Sequence, residues 1–177
     1  LSDGAVLSFG LESADPTVHE QNWLNCDPQQ LRTAVRLVNE HGRERGERGL
    51  PKLLPGLNFI AGLNGETVES YQMNLELLQS MREEGLWLRR INIRQVEGQG
   101  FQEIPKQAFS EFKREVREGI DRPLLEEMLP VGTLLRGVWW EAHDDRIRRP
   151  EQVLAPKHRD ESIRGTAGIT FGRQIGA

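Results

Sequence analysis

At 177 residues the chain is long enough for one ordinary domain, or for one domain with an appendage. A formal net charge of −4 and a pI near 5.7 argue against a general coat for nucleic acid, while leaving room for a local basic patch. No apolar run approaches the roughly 20 residues of a membrane span, no secretory leader is visible, and the single cysteine, Cys26, permits no intrachain disulfide and no cysteine-built metal site, so a reducing cytoplasm is the expected compartment.

Residues 5–11 (AVLSFGL) are apolar and rich in strand formers, and they predict a buried strand stopped by Pro16. Glu12 and Ser13 fall at its carboxyl end, where turn chemistry explains them as well as a ligand would. A short helix is expected over 17–23. Asp27-Pro28-Gln29-Gln30 then carries the marks of a helix start: Asp27 to cap, Pro28 for the first turn, Gln30 to reach back. Leu31, Ala34, Val35, Leu37 and Val38 trace one helical face, and Gly42 closes it. Cys26, just before this helix, lies in no nucleophile motif. Residues 42–52 (GRERGERGLPK) read as a solvated loop in which Arg43, Arg45 and Arg48 are candidates for an anionic substrate.

Residues 57–67 (LNFIAGLNGET) organise the chain. An apolar run enters Gly62-Leu63-Asn64-Gly65-Glu66-Thr67, and a helical pattern follows at once, predicting a buried strand, a glycine turn and a helix start. Gly62 and Gly65 allow a sharp turn and close approach of backbone to a ligand, and the helix amides would point into the same space. Ligands sit at the carboxyl ends of strands in open α/β sheets and barrels, although an ordinary βα loop has the same pattern. The helix over 68–84 turns Tyr71, Leu75, Leu78 and Met81 inward and is closed by Gly85.

Residues 87–96 (WLRRINIRQV) predict a third strand, with Ile91 and Ile93 on one face and Arg90, Asn92 and Arg94 on the other. That polar face suits a wet cavity holding a charged ligand, and equally an edge facing solvent. Pro105 opens a helix to about residue 118, with Phe109, Phe112 and Val116 inward; a shorter one follows at 123–128, and Pro130 marks a boundary. The β-α-β-α-β-α order implies parallel strands joined by right-handed crossovers. The expected fold class is therefore α/β: over residues 1–130 a parallel three-stranded half of a partial (β/α)6 barrel, or else a small open sheet, followed over 131–177 by a small β-rich tail. In the tail, 133–141 (TLLRGVWWE) and 168–175 (GITFGRQI) read as strands around a polar loop, 144–165. His143 beside Asp144 and Asp145 has no further ligand at defined spacing, so no metal is expected there.

Three stretches in this order, GLESADP at 10–16, GLNGET at 62–67 and RRINIRQ at 89–95, resemble the fourth, fifth and sixth strands of the partial barrel in radical S-adenosylmethionine enzymes. The chain is similar in particular to large archaeal members in which a segment like GTLLRDV…E.HDG…TFGRQIG follows the barrel, as 132–138, 141–144 and 170–176 do here. The resemblance implies that Glu12 with Ser13 offers polar groups to the ribose of S-adenosylmethionine. It implies that Gly62, Gly65 and Glu66 form the loop around adenine, and that Asn92, Arg94 and Gln95 lie near cofactor or substrate. It identifies no catalytic residue. It also implies a [4Fe–4S] cluster and 5′-deoxyadenosyl-radical chemistry in the complete protein.

The family holds that cluster on three closely spaced cysteines near the first strand. Here there is only Cys26, elsewhere, and the first three strands are missing. The chain alone is thus expected to be inactive. It would be the C-terminal part of a radical enzyme, partnered by the N-terminal half of the barrel in the same polypeptide or in another chain. A start at Leu1 without Met and an end at Ile175-Gly176-Ala177 fit an internal or processed segment. The competing expectation is a non-catalytic binding or assembly module whose tail contacts RNA or a protein partner. The arginines between 146 and 164 motivate it; the interleaved acids and the lack of an aromatic stacking platform count against it.

Overall fold

Three strands, β1 (Ala5–Glu12), β2 (Leu53–Ala61) and β3 (Arg90–Gln95), form one parallel sheet in the order β1-β2-β3. This computed structural model describes residues 3–96, 98 and 101–136, together with the backbone of 138–140 and 172–174. Helices α1 (Pro16–Asn22) and α2 (Pro28–Gly42) connect β1 to β2, and α3 (Val68–Glu83) connects β2 to β3. After β3 come α4 (Lys106–Glu115), a π-helical stretch (Val116–Asp121) and α5 (Arg122–Met128). The α/β alternation and the parallel pairing are as the periodicity predicts. The chain divides into two units, Leu1–Leu134 and Leu135–Ala177. In the second, β4 (Val138–Trp140) and β5 (Gly172–Gln174) pair antiparallel, with Trp139 opposite Arg173. His143 and the polar loop 144–165 lie outside the described residues. No described helix is long and apolar enough to cross a membrane.

Local chemistry explains most element boundaries. Asp27 Oδ1 accepts from Gln30 N at 2.8 Å and Gln30 Oε1 accepts from Asp27 N at 3.3 Å, a complete capping box. On α2 the buried stripe is Leu31, Val35, Asn39 and Gly42, while Leu37, expected inward, is 53% exposed. Asn39 displaces it because its amide is needed inside: Nδ2 donates to Trp87 O at 3.0 Å and Oδ1 accepts from Trp87 N at 2.8 Å, fastening the approach to β3. Gly42 is required by packing, since a Cβ there would lie 2.0 Å from Leu53 O. β2 starts at Leu53, upstream of the expected run, and so includes Pro55. Pro55 O accepts from Arg89 N at 2.8 Å, so its missing donor lies on the β3 side, one row before that ladder begins at Gly56 and Arg90.

The helices cover one face of the sheet. Leu11, Leu57, Phe59 and Ala61 enter a core with Leu31 and Val35 of α2, Tyr71, Leu75, Leu78 and Met81 of α3, and Phe109 and Phe112 of α4; Phe9, Ile91 and Ile93 pack against it. Alternation sends the intervening side chains to the other face. There Ser8, Gly10, Arg90 and Arg94 are exposed, and Asn58 and Asn92 half-buried. Leu54, of the same parity at the start of β2, is buried, so this face is closed at its amino end and open toward the carboxyl ends of the strands.

Candidate functional site: the open sheet face

Register builds the site. Ser8, Gly56 and Arg90 form one transverse row, and Gly10, Asn58 and Asn92 form the next toward the carboxyl ends. Asn92 Nδ2 donates to Asn58 Oδ1 at 2.8 Å, and Arg90 Nε donates to Asn92 Oδ1 at 2.8 Å. Both amide ends of Asn92 are engaged, which fixes its orientation. Asn58 was not among the residues singled out from the sequence. Its signal was there: an amide in the middle of an apolar strand needs a polar surface or a partner.

Glu12 stands at the carboxyl end of β1 with a φ of 68°, the left-handed region that a side chain disfavours. A bulge precedes it: Gly10 pairs with Asn58, but Glu12 pairs with Phe59. Together they turn the side chain back over Gly10, where a Cβ would lie 2.5 Å from Glu12 Oε1. Glu12 Oε2 is buried and has no hydrogen-bond partner. Burial pushes the carboxyl group above its ordinary range, and the Arg94 guanidinium partly opposes the rise. Glu12, Asn58, Asn92, Arg90 and Arg94 therefore share one face, with Glu12 and Arg94 toward the carboxyl ends of their strands and Arg90 at the start of β3.

The rest of the expected set sits elsewhere. Ser13 is buried; its hydroxyl accepts from Asp15 N at 3.2 Å and its carbonyl from His19 Nε2 at 2.5 Å, so it anchors α1 and offers no hydroxyl to the open face. Gly62 has a φ of 93°, and a Cβ there would lie 2.6 Å from Val96 O; Gly65, with a φ of 78°, would press on the Gln21 side chain. Both glycines answer to close approach by the chain itself. Glu66 is turned inward: it is buried, receives the Gly62 N–H at 3.1 and 3.2 Å, and accepts the Tyr71 hydroxyl. Burial raises its pKa, and those hydrogen bonds oppose the rise. Gln95 has the opposite parity to Arg94 and lines a separate cleft of about 630 Å³ with Gln102, Ile104, Phe109 and Lys113.

These inward-turned groups stiffen the rim. Asn74 Oδ1 accepts from Ala14 N at 2.6 Å, Ser70 Oγ donates to Asp15 Oδ2 at 2.5 Å, and Asn22 exchanges two bonds with the Asn64 backbone at 2.8 and 3.1 Å. The loop after β1 is thereby fastened to the loop after β2 and to α3, so Glu12 stands on a braced support.

The arginine loop is likewise structural. Arg43 lies 3.8 Å over the Trp87 ring and donates to Gly85 O at 3.0 Å, while Arg45 donates to Gly49 O at 2.7 Å and Met128 O at 2.5 Å. Arg48 N donates to Asp3 Oδ2 at 2.8 Å. The Cys26 thiol is pushed up by burial and by Asp27, which disfavours the thiolate a nucleophile needs.

The chain is 43% identical over 139 residues to an uncharacterized protein of Archaeoglobus fulgidus, a match covering 73% of this chain and 26% of that protein. It is 40% identical over 186 aligned positions to an uncharacterized protein of Methanocaldococcus jannaschii, covering 99% of this chain and 30% of that protein. It thus spans under a third of the length of either relative. No protein-family model matches the chain.

Proposed function

We propose that this chain is the C-terminal half of a radical S-adenosylmethionine barrel, that its open sheet face is the barrel's inner wall, and that residues 131–177 form a β-rich extension. What supports the reading is Glu12. A carboxylate oxygen buried without a partner, on a backbone held in a costly conformation, at the carboxyl end of a parallel strand, has the character of a ligand group awaiting a donor. A ribose hydroxyl is such a donor. The part of the sheet face bearing Asn58, Asn92 and Arg94 suits a polar ligand and would be a poor surface to bury dry.

The residues present fit S-adenosylmethionine in part. Glu12 would receive ribose hydroxyls, Gly10 lacks the Cβ that would collide with the Glu12 carboxylate, and Arg94 would balance the charge of that carboxylate. S-Adenosylmethionine supplies the 5′-deoxyadenosyl group; this chain's contribution is to bind and orient it. The residues do not fit the [4Fe–4S] cluster. The sequence has one cysteine, and among the described residues no group of three His, Cys, Asp or Glu is placed to hold a metal ion. No reaction step is derived through the cluster, whose ligands belong to the remainder of the enzyme under this proposal.

Calorimetric titration of S-adenosylmethionine into the complete protein tests the reading. Glu12→Ala is expected to weaken binding by about tenfold or more, the loss of a charge-assisted hydrogen bond in a partly buried site. Unchanged affinity would remove Glu12 from the site, and no binding by the intact protein would remove the cofactor.

A further inference from the structure

We propose that Arg90, held in place by Asn92 and Asn58, is the recognition group for an oxyanion, carboxylate or phosphate, carried by the substrate. The inference rests on the open face being the ligand-binding face, but not on the identity of the ligand at Glu12.

The geometry begins with the chain Arg90 Nε to Asn92 Oδ1 and Asn92 Nδ2 to Asn58 Oδ1, each 2.8 Å. Reaching Asn92, two residues further along β3, draws the Arg90 guanidinium toward the carboxyl ends of the strands, where Glu12 and Arg94 stand. Only Nε is used, so the two terminal nitrogens, the pair that grips an oxyanion, stay on the open face. Two neutral amides hold the group. An acid in either position would orient Arg90 equally well and would also neutralise it.

Charge and space agree with this. The ion pairs of Arg32 and Arg36 with Glu84, of Lys52 with Glu44 and of Arg82 with Glu127 all lie away from this face. Among the described residues, Arg90 has no carboxylate partner there. Glu12 interacts electrostatically with Arg94, so the face keeps a positive excess. In the rows that Arg90 and Asn92 join, Ser8 and Gly10 on β1 are exposed, so no large side chain from that strand stands across them. A solvent-facing arginine on an ordinary edge strand would need no such amide relay to aim it.

Titration of inorganic phosphate and of succinate into the full chain tests the proposal. Arg90→Gln is expected to weaken the tighter of the two at least tenfold, with Arg90→Lys intermediate, and with Arg36→Gln, a surface control, unchanged. Asn92→Asp keeps the acceptor for Arg90 and places a negative charge beside it; it is expected to abolish anion binding while the circular-dichroism melt stays native. A purely structural relay would leave that variant's binding intact. Wild-type affinity in a natively folded Arg90→Gln, or no anion binding by the native chain, would overturn the inference. So would competitive displacement of phosphate by S-adenosylmethionine, because the oxyanion would then belong to the cofactor. Arg90-dependent phosphate binding in a protein that fails to bind S-adenosylmethionine would retain this inference and remove the cofactor reading above.

Discussion

Glu12 combines a left-handed backbone angle with a buried carboxylate oxygen that lacks a donor. Each condition costs folding free energy, about 1–2 kcal/mol for the angle and about 1–3 kcal/mol for the orphaned oxygen. Glycine accepts this φ without strain and brings no carboxylate to bury. Glu12→Gly is therefore expected to stabilise the chain by about 1 kcal/mol in urea unfolding, after the greater freedom of glycine in the unfolded state is set against the gain. A destabilised variant would mean that the carboxylate contributes to folding and has no need of a ligand. Asn58 makes the complementary case: its partner Asn92 satisfies it, and together they give Arg90 a direction.

The helices illustrate how differently two glycines act. Gly42 ends α2 against the start of β2, and a Cβ there would meet Leu53 O at 2.0 Å and Leu53 C at 2.9 Å. Gly42→Ala must push helix and strand apart, a loss expected to reach about 1–3 kcal/mol. Gly119 lies within the π-helical stretch with nothing within 4 Å of a built Cβ, and Arg82 Nη1 donates to its carbonyl at 3.0 Å. Gly119→Ala keeps that backbone contact and is expected to stabilise by about 0.5–1 kcal/mol. Thermal or urea midpoints of the pair check both signs. The π-helical stretch lets Phe109 and Phe112 of α4, Val116 and Ile120 within it, and Leu124 of α5 all reach one core. The expected helix end near residue 118 and restart at 123 thus become one passage, with the extra residue of the wider turn absorbing the offset.

For the molecule as a whole, burial leaves a mark on the pH dependence of stability. Glu12 and Glu66 both sit above their unfolded value of 4.5, chiefly because burial disfavours the charged form. The folded chain therefore holds these protons more tightly than the unfolded chain. Their contribution is complete below pH 4.5 and is lost as pH rises through the raised folded values. Glu84, held down first by Arg36, has the opposite sign, but it lies on the surface between α2 and α3. Urea midpoints between pH 4.5 and 7 are expected to fall less for Glu12→Gln and for Glu66→Gln than for the wild type. A slope unchanged by either substitution would clear that carboxyl group of the effect.

Hydrophobic period, together with the Asp27-Pro28-Gln29-Gln30 capping pattern, is enough to read the β-α order, the inward faces of α3 and α4 and the capped start of α2, because each depends on residues within a turn or two of one another. Parallel pairing followed from that alternation. Which face of the sheet stays open, and which polar groups reach it, depended on partners far apart in the chain. Ser13 and Glu66, adjacent in sequence to the candidate loops, are drawn inward by Asp15, Gly62 and Tyr71. Gln95 falls on the side opposite Arg94 because side chains alternate along a strand. Asn58 enters the site through a pairing with Asn92 across 34 residues, and a bulge redirects Glu12 over Gly10. Local sequence sets periodicity and caps; register, burial and hydrogen-bond closure between distant segments decide where a polar side chain finally points.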